Sequence, residues 1–121
     1  MGETGYVSAM RRYFEFSGRS TRSEFWIFML VYLIIQMFAL LGDAVLFGSV
    51  ALEGGGIITA VLSLLHFIPS LSVGVRRLHD TDRSGWWLLI SFIPLIGIIW
   101  LIVLWCQPGT DGRNDYGPRL A

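Results

Sequence analysis

Charged residues gather in a few short stretches of the chain and leave three long apolar runs between them. Phe25–Leu41 holds 17 residues without a charge, with Gln36 its strongly polar member, and Ala44–Phe47 continues the run beyond Gly42 and Asp43. Ile57–Val75 adds 19 uncharged residues and Trp86–Cys106 adds 21. A helix needs about 20 residues to cross a ~30 Å hydrocarbon layer. Backbone amides in lipid must also bond within their own segment, which selects helices. The pattern therefore predicts three transmembrane helices, at about 25–47, 57–75 and 86–106. The first run is longer than the ~7–15 residues of a signal-peptide core and lacks a clear small-x-small end, so it reads as a retained span. Pro94 and Gly97 interrupt the third run and predict a kink there. The alternative for that run is a re-entrant hairpin, which would bring the tail back to the face it left.

Composition agrees with a bilayer as the solvent. Of 121 residues, 54% are hydrophobic and 15% charged, against about 25% charged in ordinary globular chains, and the mean hydropathy is +0.61. This length fits a single membrane domain, 1–121. One cysteine, Cys106, excludes an internal disulfide and a multi-cysteine metal site.

The nine positive residues are all arginine and balance nine acids. Arg11, Arg12, Arg19 and Arg22 precede the first run, Arg76, Arg77 and Arg83 follow the second, and the loop 49–56 holds none. Seven of nine therefore share one face, which the positive-inside rule assigns to the cytoplasm together with the N-terminus. Three crossings would leave the tail outside.

Local signals fill in the flanks. Met10, Tyr13 and Phe14 fall at helical spacing beside Arg11 and Arg12, predicting a short interfacial helix at about 8–16. Thr21-x-x-Glu24 fits a capping box for the first span. Arg22-Ser23-Glu24-Phe25-Trp26 is echoed by Arg83-Ser84-Gly85-Trp86-Trp87, and both should enter from one face. Residues 107–121, rich in Gly and Pro, read as an irregular tail. Trp26, Trp86 and Trp87 suit the inner interface and Trp105 the outer one. Cys106 would also lie near the outer surface.

Some residues carry candidate chemistry. His66, tenth of 19 in its run, sits near the bilayer midplane, where an ionisable group is a functional candidate. Gln36 lies at similar depth, and the two form a candidate intramembrane polar pair, with Ser63 and Ser70 as other partners for His66. Asp43 closes the first span and reads as a solvated carboxylate near the outer headgroups. His79 with Asp80 or Asp82 is a weak metal or acid–base pattern. Arg19, Arg22, Arg76, Arg77 and Arg83 form a better-supported anion face, because guanidinium groups bind phosphate bidentately and helix amino-termini attract anions. Glu15, Glu24, Asp80 and Asp82 on the same side could instead neutralise several of these arginines and knit a cap.

Four motifs in order, "YFEFSGRSTRSEFW", "VRRLHDTDRSGWWLLI", "IPLIG" and "CQPGTDGRNDYGP", resemble the YhaH-like small bacterial inner-membrane proteins of domain-of-unknown-function family 805. The resemblance runs from about Tyr13 to Pro118. It implies a multi-pass protein of the bacterial inner (cytoplasmic) membrane, and it implies no activity, cofactor or catalytic residue.

The expected fold is thus all-α, a polytopic membrane helical bundle of three transmembrane helices and an interfacial N-terminal helix. The expected role is non-enzymatic: a structural, interaction or regulatory protein whose Arg-rich cytoplasmic face meets anionic lipid headgroups. A homo-oligomer or another membrane protein is the partner expected. No residue is assigned to catalysis, a metal or a cofactor, and nothing beyond the arginine count suggests nucleic acid. The alternative is an oligomeric transporter or channel component that uses Gln36 and His66.

Overall fold

The computed structural model of the protein describes residues 5–49, 53 and 56–118. Its helices are α1 (Gly5–Arg11), α2 (Arg22–Phe47), α3 (Ile57–Asp80), a 3₁₀ segment (Gly85–Phe92) and α4 (Ile96–Cys106). Among the described residues no strand forms beyond an isolated bridge between Asn114 and Gly117.

α2 starts where Thr21 adopts an extended conformation and its hydroxyl accepts the Glu24 amide at 3.1 Å. That is one half of a capping box. The Glu24 carboxylate, which would supply the reciprocal half, turns to Ser8 and Arg12 instead. The helix stops at Gly48, whose φ of 66° is easy for glycine and whose amide bonds the Ala44 carbonyl.

α3 runs back along α2 and begins at Gly56, which has no side chain to cap it. The cap comes across from α2: Asp43 Oδ1 accepts the Ile58 amide at 3.0 Å, and Oδ2 accepts the Thr59 amide and hydroxyl at 2.9 and 2.8 Å. A Cβ at position 56 would overlap that carboxyl group. Asp43 is therefore fully buried and not the solvated carboxylate expected; three donors at a helix start replace water.

Pro69 lies inside α3 and has no amide for the Leu65 carbonyl four residues earlier. The Tyr13 hydroxyl donates to that carbonyl at 2.6 Å, so a neighbouring segment satisfies the group that proline leaves open.

The expected interfacial helix at 8–16 is displaced to Gly5–Arg11 and is packed inward. Ala9 is buried with Phe25, Phe28 and Val73. At Gly5 a Cβ would stand 2.9 Å from the α2 backbone, so glycine permits this close approach. Phe14 is left exposed.

The third apolar run is a correction to the sequence reading. Two helices within the described residues, α2 and α3, are long and apolar enough to cross a membrane, and Trp86–Cys106 does not form a third. It is split into the 3₁₀ segment and α4 around Pro94 and Leu95, where Leu95 takes a φ of 63°. Gly97 then packs directly against the Ile90 carbonyl, with no room for a Cβ. Both ends of this hairpin lie beside the same stretch of α3. A Cβ on Gly85 would touch Val75 at 2.9 Å, and the Trp105 indole donates to the Gly74 carbonyl at 3.3 Å. Arg77 Nε donates to the Trp105 carbonyl at 3.0 Å. Trp105 and Cys106 are thus at the end of the bundle where α2 starts and α3 finishes, not at the opposite end as expected. Hydropathy counted the run correctly, but a Pro-Leu turn and a glycine contact fold it in half.

Candidate functional site

The end of the bundle where α2 starts and α3 finishes is closed by a polar cap built from residues 12–21, the last turn of α3 and the tail. Arg76 and Arg77 extend from α3 and Arg19 from the segment ahead of α2, and they are 0%, 0% and 2% exposed. Buried charge is costly unless paired and hydrogen-bonded, and here the pairs fall into two groups.

In the first group Arg76 lies 3.7 Å from Glu24, and Arg12 pairs with Glu24 at 3.3 Å and Glu15 at 2.5 Å. Arg76 also donates to the Ser20 hydroxyl at 2.7 Å and to the carbonyls of Arg12 and Glu15 at 3.0 and 2.6 Å. In the second group Arg19 and Arg77 share Asp80, at 2.7 and 2.5 Å. The Arg19 guanidinium is completed by backbone carbonyls of the tail: Thr110 and Gly112 at 2.8 Å each and Gly117 at 3.2 Å. Arg77 likewise reaches the carbonyls of Ser20 and Gln107.

The tail in turn closes the end of α3. The Thr110 amide donates to the Asp80 carbonyl at 2.7 Å, and the Asn114 amide group donates to the His79 carbonyl at 2.9 Å. Helix C-termini leave their last carbonyls unpaired, and these contacts supply the missing donors. The His79 ring donates from Nδ1 to the Gly18 carbonyl at 2.9 Å and stacks on Tyr116 with centroids 4.0 Å apart. His79 and Asp80 therefore face different partners and do not converge as an acid–base pair. Among the described residues no three His, Cys, Asp or Glu side chains gather as a metal site.

A cleft of about 300 Å³ opens on the second group, between the start of α2 and the Pro108–Gly109 turn. Arg19, Thr21, Arg22, Ser23 and Asp80 line it. Arg22 is exposed, with its guanidinium 3.4 Å from the Cys106 carbonyl. Of the five arginines expected to face headgroups, Arg19, Arg76 and Arg77 are thus withdrawn into ion pairs and carbonyl contacts. Arg22 stays exposed, and Arg83 is half-buried, 3.5 Å from the Thr81 carbonyl.

A second polar group lies along the helix pair. Gln36 donates to the Ser63 hydroxyl at 2.6 Å and to the Tyr32 hydroxyl at 3.3 Å. His66 does not bond Gln36. Its Nδ1 donates to the Leu62 carbonyl at 2.8 Å, which leaves Nε2 to accept from the Tyr6 hydroxyl, also at 2.8 Å. Burial raises the Tyr6 phenol above its ordinary 10.0, keeping it a donor. Tyr32 stands between the expected pair, bonded to Gln36 and stacked on His66 at 4.6 Å. Neither Tyr6 nor Tyr32 stands out in the sequence as a partner. The spacing of Tyr32 and Gln36, one helical turn apart and facing Ser63, is the signal that could have found the second.

The family model described as protein of unknown function (DUF805) matches residues 13–118, which takes in the last turn of α3, the described tail and, apart from Arg12, the segment ahead of α2. Inner membrane protein YhaH of Escherichia coli (strain K12) is 44% identical over 93% of each chain. Inner membrane protein YhaI of the same organism is 40% identical over 93% of this chain and 91% of its own. A third relative, uncharacterized protein YiiR, is 32% identical over 86% of this chain and 84% of its own. No solved structure matches. With a family model covering most of its length and relatives aligned nearly end to end, the chain belongs to the DUF805 family of membrane proteins.

Proposed function

We propose that this is a non-enzymatic protein of the bacterial inner membrane that acts by association with lipid and with other membrane proteins. In this reading α2 and α3 cross the bilayer, the 3₁₀–α4 hairpin enters and leaves on one face, and the cap and tail are cytoplasmic. The observation that carries it is the Arg19 centre, which ties the segment ahead of α2, the end of α3 and the tail into one end of the molecule. All eight arginines of the described residues then share that end, from Arg11 to Arg113, whereas the far end holds Asp43 and Glu53. The positive-inside rule puts that end in the cytoplasm. Leu30, Leu33, Met37, Phe38 and Leu41 leave one side of α2 exposed and apolar, which suits lipid or a neighbouring helix. Arg22 and Arg83 open the two segments that enter from the cap, placing them to meet anionic headgroups.

The test is thiol accessibility in intact cells in a Cys106→Ser background. Glu53→Cys is expected to label from outside with an impermeant reagent, and Asp115→Cys only after lysis. Outside labelling of Asp115→Cys would sink the topology.

A second reading, a component of an oligomeric solute or ion path, draws on Gln36 Oε1 and Ser70 Oγ, which are buried without a hydrogen-bond partner among the described residues. It requires water at this depth. Failure of a small impermeant thiol reagent to reach Ser70→Cys from either side of a sealed vesicle would remove it.

A further inference from the structure

We infer that the cleft between the start of α2 and the Pro108–Gly109 turn is a binding site for a phosphoryl group. The inference rests on the cap facing the membrane–cytoplasm boundary, as proposed above.

Charge balance within the cap is the starting point. Arg12 and Arg76 are matched by Glu15 and Glu24, two against two. Arg19 and Arg77 share Asp80, two against one, and their remaining contacts are neutral carbonyls. A carbonyl satisfies a guanidinium N–H without cancelling its charge, so within the Arg19–Asp80–Arg77 ion pairs positive charge outweighs negative. The cleft opens on this group and not on the balanced one. Arg22, exposed at the rim, adds a further positive charge.

Asp80 is the single carboxylate in the lining, and both its oxygens are taken, one by Arg19 and one by Arg77. It is held there by the tail: Gly109 passes so close that a Cβ would overlap the Asp80 carboxyl group. An entering anion therefore meets the exposed Arg22 guanidinium and the Thr21 and Ser23 side chains ahead of an open carboxylate, while the buried Arg19, whose N–H groups are all engaged, adds only its charge. Guanidinium matches phosphate geometry with paired N–H donors. The start of a 26-residue helix adds the positive end of its dipole. The volume, about 300 Å³, sits at the lower end of the roughly 300–1,000 Å³ of small-ligand sites. It suits a headgroup or a small organic phosphate.

The two sources of that chemistry, a lipid headgroup and a free phosphate, are separated by titrating the full chain in detergent with dihexanoyl-phosphatidylglycerol and with inorganic phosphate, followed by calorimetry. Saturable binding is expected. Arg22→Gln should weaken it about tenfold or more, as loss of a charge-assisted contact does. Arg113→Gln removes the same charge from the exposed tail outside the lining and should leave affinity within about twofold. Competition by inorganic phosphate assigns the site to free phosphates, and phosphatidylglycerol binding without competition assigns it to the lipid. Equal losses in the two variants, or no saturable binding of either probe, would overturn the cleft. Those outcomes leave the thiol-labelling result, and with it the proposed topology, untouched.

Discussion

At the cap Arg19, Arg76 and Arg77 are removed from water as charges, each beside a carboxylate and two or more backbone carbonyls. Ten residues earlier on α3, His66 is also buried, but Tyr6, Tyr32 and the Leu62 carbonyl around it are neutral. The difference follows from what each place can supply. At the end of the helix pair, the segment ahead of α2 and the irregular tail offer backbone carbonyls with no partner of their own. Within the pair, helical carbonyls are mainly engaged in the helices' own hydrogen bonds. Charge is therefore buried where loose backbone is at hand, and hydrogen bonds between neutral groups serve elsewhere.

The comparison carries an energetic consequence. Removing one member of a buried ion pair costs about 3–5 kcal/mol, whereas hydrogen bonds between membrane helices average about 0.6 kcal/mol. Asp80→Ala should accordingly have the largest effect, a loss of about 3–5 kcal/mol in reversible SDS-driven unfolding, because Arg19 and Arg77 lose their shared carboxylate together. A loss below 1 kcal/mol would show that water reaches the cap and that its pairs are ordinary surface contacts.

Gly97→Ala comes next, at about 1–3 kcal/mol by the same assay, since the new methyl group meets the backbone of Ile90 and not a side chain able to turn away. The hairpin belongs to the cap through Arg77 and Trp105, so proteolysis of the tail should quicken in this variant. Unchanged cleavage would separate hairpin from cap. Asp43→Ala tests charge burial at the far end, where one carboxylate serves a helix start with no arginine beside it. The expected cost is about 0.5–2 kcal/mol, the range of a lost N-cap. A cost matching Asp80→Ala would mean that the far end carries a charge network of its own. Tyr6→Phe should have the smallest effect, near 0.6 kcal/mol, because it removes one neutral bond to His66 and retains the ring stacked on Phe28. A loss as large as that of Asp80→Ala would erase the contrast between the two regions.

The two long helices were legible in the chain because a run of apolar residues is a local property, and the Thr21 start was legible for the same reason. The pairing of arginines with Glu15, Glu24 and Asp80 was foreseeable from their shared face. Two features were not. The third run has the length and hydropathy of a span, and its Pro94 and Gly97 are equally compatible with a kinked crossing and a hairpin. Close packing of Gly97 on Ile90 and of Gly85 on Val75 makes the choice. The arginines carried the opposite difficulty: their positions marked an exposed anionic-lipid face, yet three of them are sealed inside.

What the sequence determined alone is therefore the solvent, the two long helices and the face that carries positive charge, all of which follow from side-chain chemistry summed over neighbouring residues. Tertiary structure decided which arginines remain at the surface and where the tail lies. The acceptors that withdraw Arg19 are the backbone carbonyls of Thr110, Gly112 and Gly117, more than ninety residues away. Every residue carries such a carbonyl, so no letter of the sequence marks the ones that a folded chain will bring to a guanidinium.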